Sequence, residues 1–456
     1  MGRLLLLLLP LLDSTLAYSP SSPNSTPRRE AIQKLGSGAG ALGSGLLVGG
    51  KGTSAAVPTT PIPPVQIDAR GKATLPAMGL GAWAWGDALF WGYRPSEDKE
   101  LEQVFRYAVE KGAGFFDTAE LYGLGRSESL IKDFTATTLG SADSSSSSSI
   151  VAQTSVATKF AALPWRTKRE DVVAAARASA KRLGKYCIVL LLRCSLFVAY
   201  LPIHASTHLS PPFPLLSLAK GRPADLYQIH FPNAYANEAY WDGLGDAFEL
   251  GLVKSVGVSN YGSAALRACH AKLAARGIPL SSNQVQLSLL YRCPLENGLK
   301  ATCDELGVQT IAYSPLGLGL LTGKYDETKY PSGPRGKLAE ALFGPKGNPE
   351  AAKKLFATMR EVADAHSSSG GGDSSGSRPL SQVALNWAIA KGTTVIPGAR
   401  TLRQAQQNLG TLDWKLSGAE VAALDAAAAP LPPLVPPDQA PFPKVDKDTG
   451  LVMFDS

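Results

Sequence analysis

The chain has 456 residues, of which 45% are hydrophobic and 18% charged, so it contains enough apolar sequence for a large folded core. The formal net charge is +7, but the basic residues form no long run and do not alternate with aromatic residues, which argues against nucleic acid as a partner. The five cysteines show no CxxC pair and no ligand spacing, which argues against a disulfide framework and a zinc site.

The first 64 residues have the composition of a targeting sequence. Residues 1–17 combine a basic start, an apolar run that is too short to span a bilayer, and the small residues of a cleavage site, which predicts a signal peptide and no membrane span in the mature protein. Residues 18–64 are rich in Ser, Thr, Pro, Ala and Gly, as in a transit peptide. Together they resemble the bipartite presequence of algae with secondary plastids and predict a plastid location. The alternative is secretion, with Asn24 as a glycosylation site.

The stretch from Gly38 to Gly43 matches the dinucleotide-binding fingerprint GxGxxG. That motif acts between a strand and a helix, with an acid about 20 residues further on. Here it lies in low-complexity sequence, and the next acid is Asp68. We therefore expect no cofactor site there.

From Val65 onwards, short apolar runs alternate with amphipathic helical segments. After a hairpin over 65–77, we predict eight strands at 78–86, 115–116, 155–160, 225–231, 255–260, 283–286, 308–314 and 394–396. The intervening helices are predicted at 96–111, 129–134, 169–183, 240–250, 263–276, 299–306, 349–366, 381–391 and 402–409, with a polyserine loop at 144–149 and a long loop leading to Pro349.

This alternation predicts an α/β fold with a parallel sheet, and the number of strands favours a (β/α)₈ TIM barrel over a doubly wound sheet. The barrel domain is expected to span residues 65–456. A final helix at 417–428 and a proline-rich tail lie outside the eight units.

Polar side chains follow three consecutive predicted strands. Asp117 and Tyr122 come after the second strand, Lys159 ends the third, and His230 ends the fourth. Each has an ordinary alternative, as a rim charge, a packing aromatic or a core histidine. Because the carboxyl ends of barrel strands meet at one mouth, the four together predict a site there.

These residues lie in the segments FFDTAELYG, VATKF and DLYQIHFP, which in this order resemble the aldo-keto reductase family over about residues 65–430. The resemblance implies NADPH-dependent reduction of aldehydes or ketones by direct hydride transfer, without a metal. Tyr122 would donate the proton, and the Lys159 ammonium would lower the phenol's pKa from about 10. Asp117 would keep Lys159 charged, and His230 would orient the carbonyl.

The same resemblance implies an NADP(H) site. Ser259, Asn260 and Gln284 would hold the nicotinamide carboxamide, and Tyr313 would stack on its ring. The remaining expected contacts are Gly81, the pyrophosphate-binding backbone with Ser314, Leu316, Gly317 and Leu321, and the adenosine end with Gly398, Arg400, Gln404, Gln407 and Asn408. Arg400 is placed to meet a 2′-phosphate, which favours NADP over NAD. Gln407 departs from the glutamate that many members have.

Two other functions stay open. A non-catalytic NADP(H)-sensing subunit, like the potassium-channel β subunits, would share this fold. An unrelated barrel, such as an isomerase or a glycosidase, would leave Lys159 and the pair Ser259–Asn260 without roles. The physiological carbonyl substrate is not predicted, because substrate specificity depends on loops such as 87–94 and 326–347, whose sequences do not identify the compound they bind. The oligomeric state is not predicted.

The segment from Lys185 to Lys220 has no counterpart in the resembled family. It contains CIVLLLRCSLFVAYL followed by a Pro/Ser/Leu run, which is too short and interrupted to span a membrane. Its first codons can form a splice donor, the Pro/Ser/Leu run can be encoded almost wholly in pyrimidines, and Lys220–Gly221 can supply an acceptor. We interpret it as a retained intron; the alternative is a true insertion on the bottom face of the barrel.

Overall fold

A computed structural model of the chain describes residues 64–141, 154–184, 222–233, 235–331, 334–345, 347–367 and 376–433, with 444–445 and 452–453. The predicted presequence, the Gly38–Gly43 motif, the polyserine loop and the Lys185–Lys220 segment lie outside these residues. Within them, no helix is long and apolar enough to cross a membrane.

Eight parallel strands form the central barrel, in the order of the sequence. They are β3 (Leu80–Gly81), β4 (Phe115–Asp117), β5 (Ser155–Phe160), β6 (Leu226–Ile229), β7 (Val256–Ser259), β8 (Leu280–Gln286), β9 (Gln309–Tyr313) and β10 (Thr394–Val395). Nearly every residue in these strands is buried, as expected for a parallel sheet covered by helices. The predicted (β/α)₈ barrel is confirmed.

The barrel closes between its first and last strands. Parallel bridges join Met78 to Val395 and Gly81 to Gly398, and the Gly81 amide donates to the Pro397 carbonyl at 3.0 Å. A Cβ atom at position 81 would lie only 2.8 Å from the Ile396 carbonyl oxygen. Gly81, expected as a cofactor contact, therefore has a structural reason of its own, because only glycine allows the seam to close.

The outer helices are α1 (Asp98–Glu110), α2 (Arg126–Ser141), α3 (Arg169–Arg182), α4 (Asn237–Glu249), α5 (Ser263–Ala274), α6 (Cys293–Glu296), α7 (Leu299–Glu305), α8 (Pro334–Phe343), α9 (Pro349–Ala365), α10 (Leu380–Ala390), α11 (Leu402–Leu409) and α12 (Gly418–Ala428). Short 3₁₀ turns occupy Pro95–Glu97, Tyr122–Gly125, Gly317–Thr322 and Gly410–Asp413. Two short strands, β11 (Lys444–Val445) and β12 (Val452–Met453), pair in the tail.

Sequence periodicity located most helices but not all of their ends. The apolar face of α1 is buried as predicted, with Leu101, Val104, Phe105, Ala108 and Val109 inside. Helix α2 extends well beyond the predicted 129–134. The expectation of an unbroken loop up to Pro349 was wrong, because α8 forms within it and buries Ala339, Leu342 and Phe343 at helical spacing against the second core cluster.

The hairpin of β1 (Gln66–Ile67) and β2 (Ala73–Thr74) covers the amino-terminal end of the barrel. The Ala73 amide donates to Ser281 at the start of β8, and the Leu75 amide donates to Gln309 at the start of β9, both at 2.9 Å. With this end closed, the opposite face, where the strands lead into the βα loops, remains for chemistry.

The two residues that flank segment 185–221 touch each other at the hairpin end of the barrel. The Arg222 amide donates to the carbonyl oxygen of Gly184 at 2.5 Å. The Arg222 guanidinium donates to the Thr154 carbonyl at 2.9 Å, just before β5. The chain therefore leaves and re-enters the barrel at one point, on the face away from the strand ends.

Candidate active site

A buried ion pair lies at the carboxyl ends of β4 and β5. The Lys159 ammonium donates to Asp117 Oδ1 at 2.5 Å and to the Thr118 carbonyl at 2.8 Å. Lys159 is 0% and Asp117 2% exposed. Burial lowers the pKa of Lys159, and the adjacent Asp117 carboxylate opposes that effect. The predicted pairing of these two residues is confirmed by their geometry.

Tyr122 lies beside this pair, with its hydroxyl 3.5 Å from the Lys159 nitrogen. Burial, followed by the negative charge of Asp117, raises the pKa of the Tyr122 phenol well above its usual value. The lowering of this pKa expected from Lys159 is not found: burial and Asp117 raise it, and the ammonium makes its shorter bonds to Asp117 and Thr118. The phenol remains protonated at neutral pH, which is the form that can donate a proton.

His230 completes the group of four. Its ring packs edge-on against Tyr122, with centroids 5.7 Å apart, and stacks on Phe231 at 4.2 Å. Burial, with a smaller contribution from the Lys159 charge, lowers the pKa of His230 well below its usual value. The imidazole is therefore neutral. Its Nδ1 atom is buried and has no hydrogen-bond partner among the described residues.

Two glutamines bind Asp117 from across the barrel. Gln284 on β8 donates to Asp117 Oδ2 at 2.8 Å, and Gln228 on β6 donates to the same atom at 3.4 Å. Gln284 was expected at the nicotinamide carboxamide, but here its amide fixes the carboxylate. Gln228 was missed. Its signal in the sequence was an amide in the middle of an apolar strand, two positions before His230.

The predicted nicotinamide residues join the same network. Asn260 donates to the His230 carbonyl at 3.1 Å and accepts from the Tyr313 hydroxyl at 3.1 Å, and Ser259 donates to the Gln284 carbonyl at 2.8 Å. Asn260 and Ser314 have φ angles of 63° and 49°, in the left-handed region that non-glycine residues rarely adopt. Such strain is typical of functional sites, and here it turns both residues where β7 and β9 end.

The turn after β9 is tightly hydrogen-bonded within itself. Gly317 donates its amide to the Ser314 carbonyl at 2.9 Å, and Leu321 donates to the Leu316 carbonyl at 3.1 Å. The amides of Gly317 and Leu321, expected to bind a pyrophosphate, thus donate to carbonyls of the turn itself. The turn is open at Gly319, where an added Cβ would meet nothing within 4 Å.

The expected adenosine-end residues share the β10–α11 loop and α11. Gln404 accepts from the Arg400 amide at 2.7 Å, and Asn408 donates to the Gly398 carbonyl at 3.2 Å, so both side chains shape the loop. Gln407 lies beside Asn408, and its carbonyl accepts from Gln382 at 3.0 Å. The Arg400 side chain instead crosses to the β3–α1 loop.

An aromatic wall borders Tyr122. The Trp83 ring stacks at 6.2 Å on Tyr122 and at 4.9 Å on Phe90, and Trp91 meets Trp83 edge-on at 5.4 Å. Asp87 holds this loop by accepting from Trp83 Nε1 at 3.1 Å and from the Phe90 amide at 2.9 Å. The sequence placed substrate contacts in loop 87–94, but it did not reveal that Trp83 would face Tyr122.

These residues fit a nicotinamide cofactor and a carbonyl compound. His230 Nδ1 is buried without a hydrogen-bond partner among the described residues, the left-handed turns lie at the strand ends, and the open Gly319 leaves room beside the turn. Among the described residues, no group of His, Cys, Asp or Glu could hold a metal ion.

The Aldo/keto reductase family model matches residues 77–194 and 216–429. The chloroplastic pyridoxal reductase of Arabidopsis thaliana is 38% identical over 370 residues, which cover 79% of this chain and 86% of that protein. The structure of a glycerol dehydrogenase from Gluconobacter oxydans matches with a TM-score of 0.58 and 19% identity, over 83% of this chain and 97% of its own. An aldo/keto reductase from Klebsiella pneumoniae, solved with NADP and acetate, matches with a TM-score of 0.52 and 20% identity, over 79% and 93%.

Proposed function

The chain belongs to the aldo/keto reductase family, and we propose that it reduces aldehydes or ketones to alcohols with NADPH, using Tyr122 as the proton donor. The observation that carries this proposal is the position of the Lys159 ammonium, which contacts both Asp117 and the Tyr122 hydroxyl. No other arrangement among the described residues combines a buried ion pair, a protonated phenol and a neutral imidazole.

When bound, NADPH supplies the hydride that reaches the carbonyl carbon. The expected cofactor residues would hold it, with Ser259, Asn260 and Tyr313 at the nicotinamide and Arg400 at the 2′-phosphate. Reduction leaves negative charge on the substrate oxygen, and this charge needs a proton. Tyr122 donates that proton, and the nearby Lys159 ammonium stabilises the phenolate that remains. The neutral His230 imidazole donates a hydrogen bond that fixes the substrate oxygen beside Tyr122.

For the substrate, we propose a flat aromatic aldehyde, with pyridoxal as the first compound to test. Pyridoxal appears in the name of the relative that is 38% identical to this chain. The wall of Trp83, Phe90 and Trp91 offers aromatic faces next to the proton donor, and aromatic pairs are stabilised by about 0.5–1.5 kcal/mol beyond their buried area. The chloroplast location of that relative and the composition of residues 1–64 support a plastid location.

The test measures NADPH oxidation by the purified chain with pyridoxal and with a generic aldehyde. We expect Tyr122→Phe to lower kcat by about 10²–10⁴-fold, since it removes the proton donor. NADPH affinity should stay within about twofold, because the phenyl ring keeps the packing. Tyr227→Phe is the matched control, because among the described residues that buried hydroxyl makes one long hydrogen bond, to the Val172 carbonyl at 3.5 Å; its kcat should remain at the wild-type value.

Two outcomes would overturn the proposal. If the chain binds NADPH but turns over no carbonyl compound, the sensing-subunit alternative takes its place. If Tyr122→Phe keeps the wild-type kcat, another group donates the proton.

A further inference from the structure

Arg400, the residue expected to meet the 2′-phosphate, already has two partners. Its Nη2 atom donates to Glu97 Oε2 at 2.6 Å, and its Nη1 atom donates to the Trp91 carbonyl at 2.8 Å. Glu97 ends the 3₁₀ turn that precedes α1, and 303 positions separate it from Arg400 in the chain. The cation of the adenosine end is therefore neutralised by the β3–α1 loop.

A guanidinium carries five N–H donors in one plane and binds phosphate best through two parallel hydrogen bonds. Trp91 and Glu97 take one hydrogen from each terminal nitrogen of Arg400. A phosphate that approaches Arg400 must either replace the Glu97 carboxylate or bind beside it. In both cases the negative charge of Glu97 opposes the binding of a second, doubly charged anion.

The ion pair is accessible to such an exchange. The side chains of Arg400 and Glu97 are 30% and 28% exposed, so water can solvate the carboxylate once it is displaced. A neutral ligand part at the same place, such as the free ribose hydroxyl of NADH, creates no conflict of charge. The carboxylate therefore acts selectively on the cofactor that carries the 2′-phosphate.

Building on the proposed function, we propose that Glu97 is a cofactor-selectivity residue, which competes with the 2′-phosphate for Arg400 and so moderates the preference for NADPH over NADH. The opposite role is orientation, in which Glu97 holds Arg400 ready for the phosphate. The two roles predict opposite changes in NADPH affinity when the charge is removed and the shape is kept.

The test measures dissociation constants for NADPH and NADH by quenching of tryptophan fluorescence in the Glu97→Gln variant. The glutamine can still accept a hydrogen bond from Arg400, so the substitution isolates the charge. We expect NADPH to bind about two- to fivefold more tightly, the scale of a partly exposed ion pair. The affinity for NADH should be unchanged, which also shows that the variant is folded.

Two further variants identify the route of the effect. Glu100→Gln removes the same charge from the first turn of α1 and should leave both affinities unchanged. In an Arg400→Gln background, Glu97→Gln should have no effect on NADPH binding, because the residue acts through Arg400.

The failures are distinguishable. Weaker or unchanged NADPH binding by Glu97→Gln, or equal tightening by Glu100→Gln, overturns the competition proposal and leaves the reductase proposal standing. A wild-type chain that binds neither cofactor overturns both.

Discussion

The two ends of the site each contain one acid–base pair of nearly equal length in very different surroundings. Asp117 and Lys159 are 2.5 Å apart and at most 2% exposed, whereas Glu97 and Arg400 are 2.6 Å apart and nearly 30% exposed. The two pairs have nearly the same N···O distance, and they differ in how far solvent reaches them. A buried charge that loses its partner keeps its full desolvation penalty, while an exposed charge is solvated and screened. The Asp117–Lys159 pair is therefore the costly one to break, and the Glu97–Arg400 pair can be exchanged at a lower cost.

The largest expected effect is at the buried pair. Lys159→Met leaves the Asp117 carboxylate buried without its cation, and we expect the free energy of unfolding to fall by about 3–5 kcal/mol. Lys254→Met is the matched control: this ammonium also binds a buried aspartate, Asp225 at 2.6 Å, but it is 44% exposed, and Asp225 keeps a second cation, Arg222 at 3.4 Å. The control should lose less than about 1 kcal/mol. Urea denaturation measures both, and equal losses would contradict the comparison.

A smaller effect is expected from acidification, through His230. Burial lowers the pKa of this imidazole in the folded state, so the unfolded chain binds more protons between that pKa and about 6.5. Stability therefore rises with pH through this window and falls on acidification. From pH 7.0 to 5.5, we expect His230 to cost the wild type about 1 kcal/mol of unfolding free energy.

The check compares the free energy of unfolding at pH 7.0 and 5.5 in the wild type and in His230→Gln, whose side chain cannot take up the proton. Its loss of stability between the two pH values should be smaller than that of the wild type by the same amount, about 1 kcal/mol. An identical loss in both proteins would mean that the pKa of His230 is the same in the folded and unfolded states.

A change in ionic strength should affect the binding of NADPH more than the binding of NADH, and it should leave kcat almost unchanged. Raising the salt concentration screens the partly exposed Arg400, so NADPH binding should weaken by about two- to fivefold more than NADH binding. At saturating cofactor, kcat should change by less than about twofold, because the Asp117–Lys159 pair is inaccessible to salt. Equal weakening of both cofactors would show that Arg400 does not bind the 2′-phosphate.

The smallest effect is expected from deleting the segment Lys185–Lys220, which we propose to be encoded by a retained intron, together with Gly221, so that Arg222 follows Gly184 directly. The Gly184 oxygen and the Arg222 nitrogen already lie 2.5 Å apart, so a peptide bond between these two residues requires little movement of the chain. A chain from Val65 without the segment should match the undeleted chain in kcat and in NADPH affinity within about twofold, because the junction lies at the end of the barrel away from the site. Loss of folding on deletion would make the segment structural. Transcripts that always retain it would contradict the intron.

Local patterns predicted the parts of the site that lie at strand ends. A polar residue after a short apolar run identifies a strand end, and the barrel then brings Asp117, Lys159 and His230 to one mouth. The apolar face of α1 followed from its spacing for the same reason, because the 3.6-residue period belongs to the sequence itself. Helix α8 was missed because its three buried residues stand in a proline- and glycine-rich context.

The amino-acid sequence by itself determined the order of strands and helices, and with it the barrel and the four residues at its mouth. The tertiary structure decided how their charges are balanced. Gln284 reaches Asp117 across 167 positions of the chain, and Glu97 reaches Arg400 across 303. It also decided the pKa of Tyr122, which burial and the negative charge of Asp117 raise. Such pairings are set by barrel closure and solvent exclusion, which no local pattern of residues encodes.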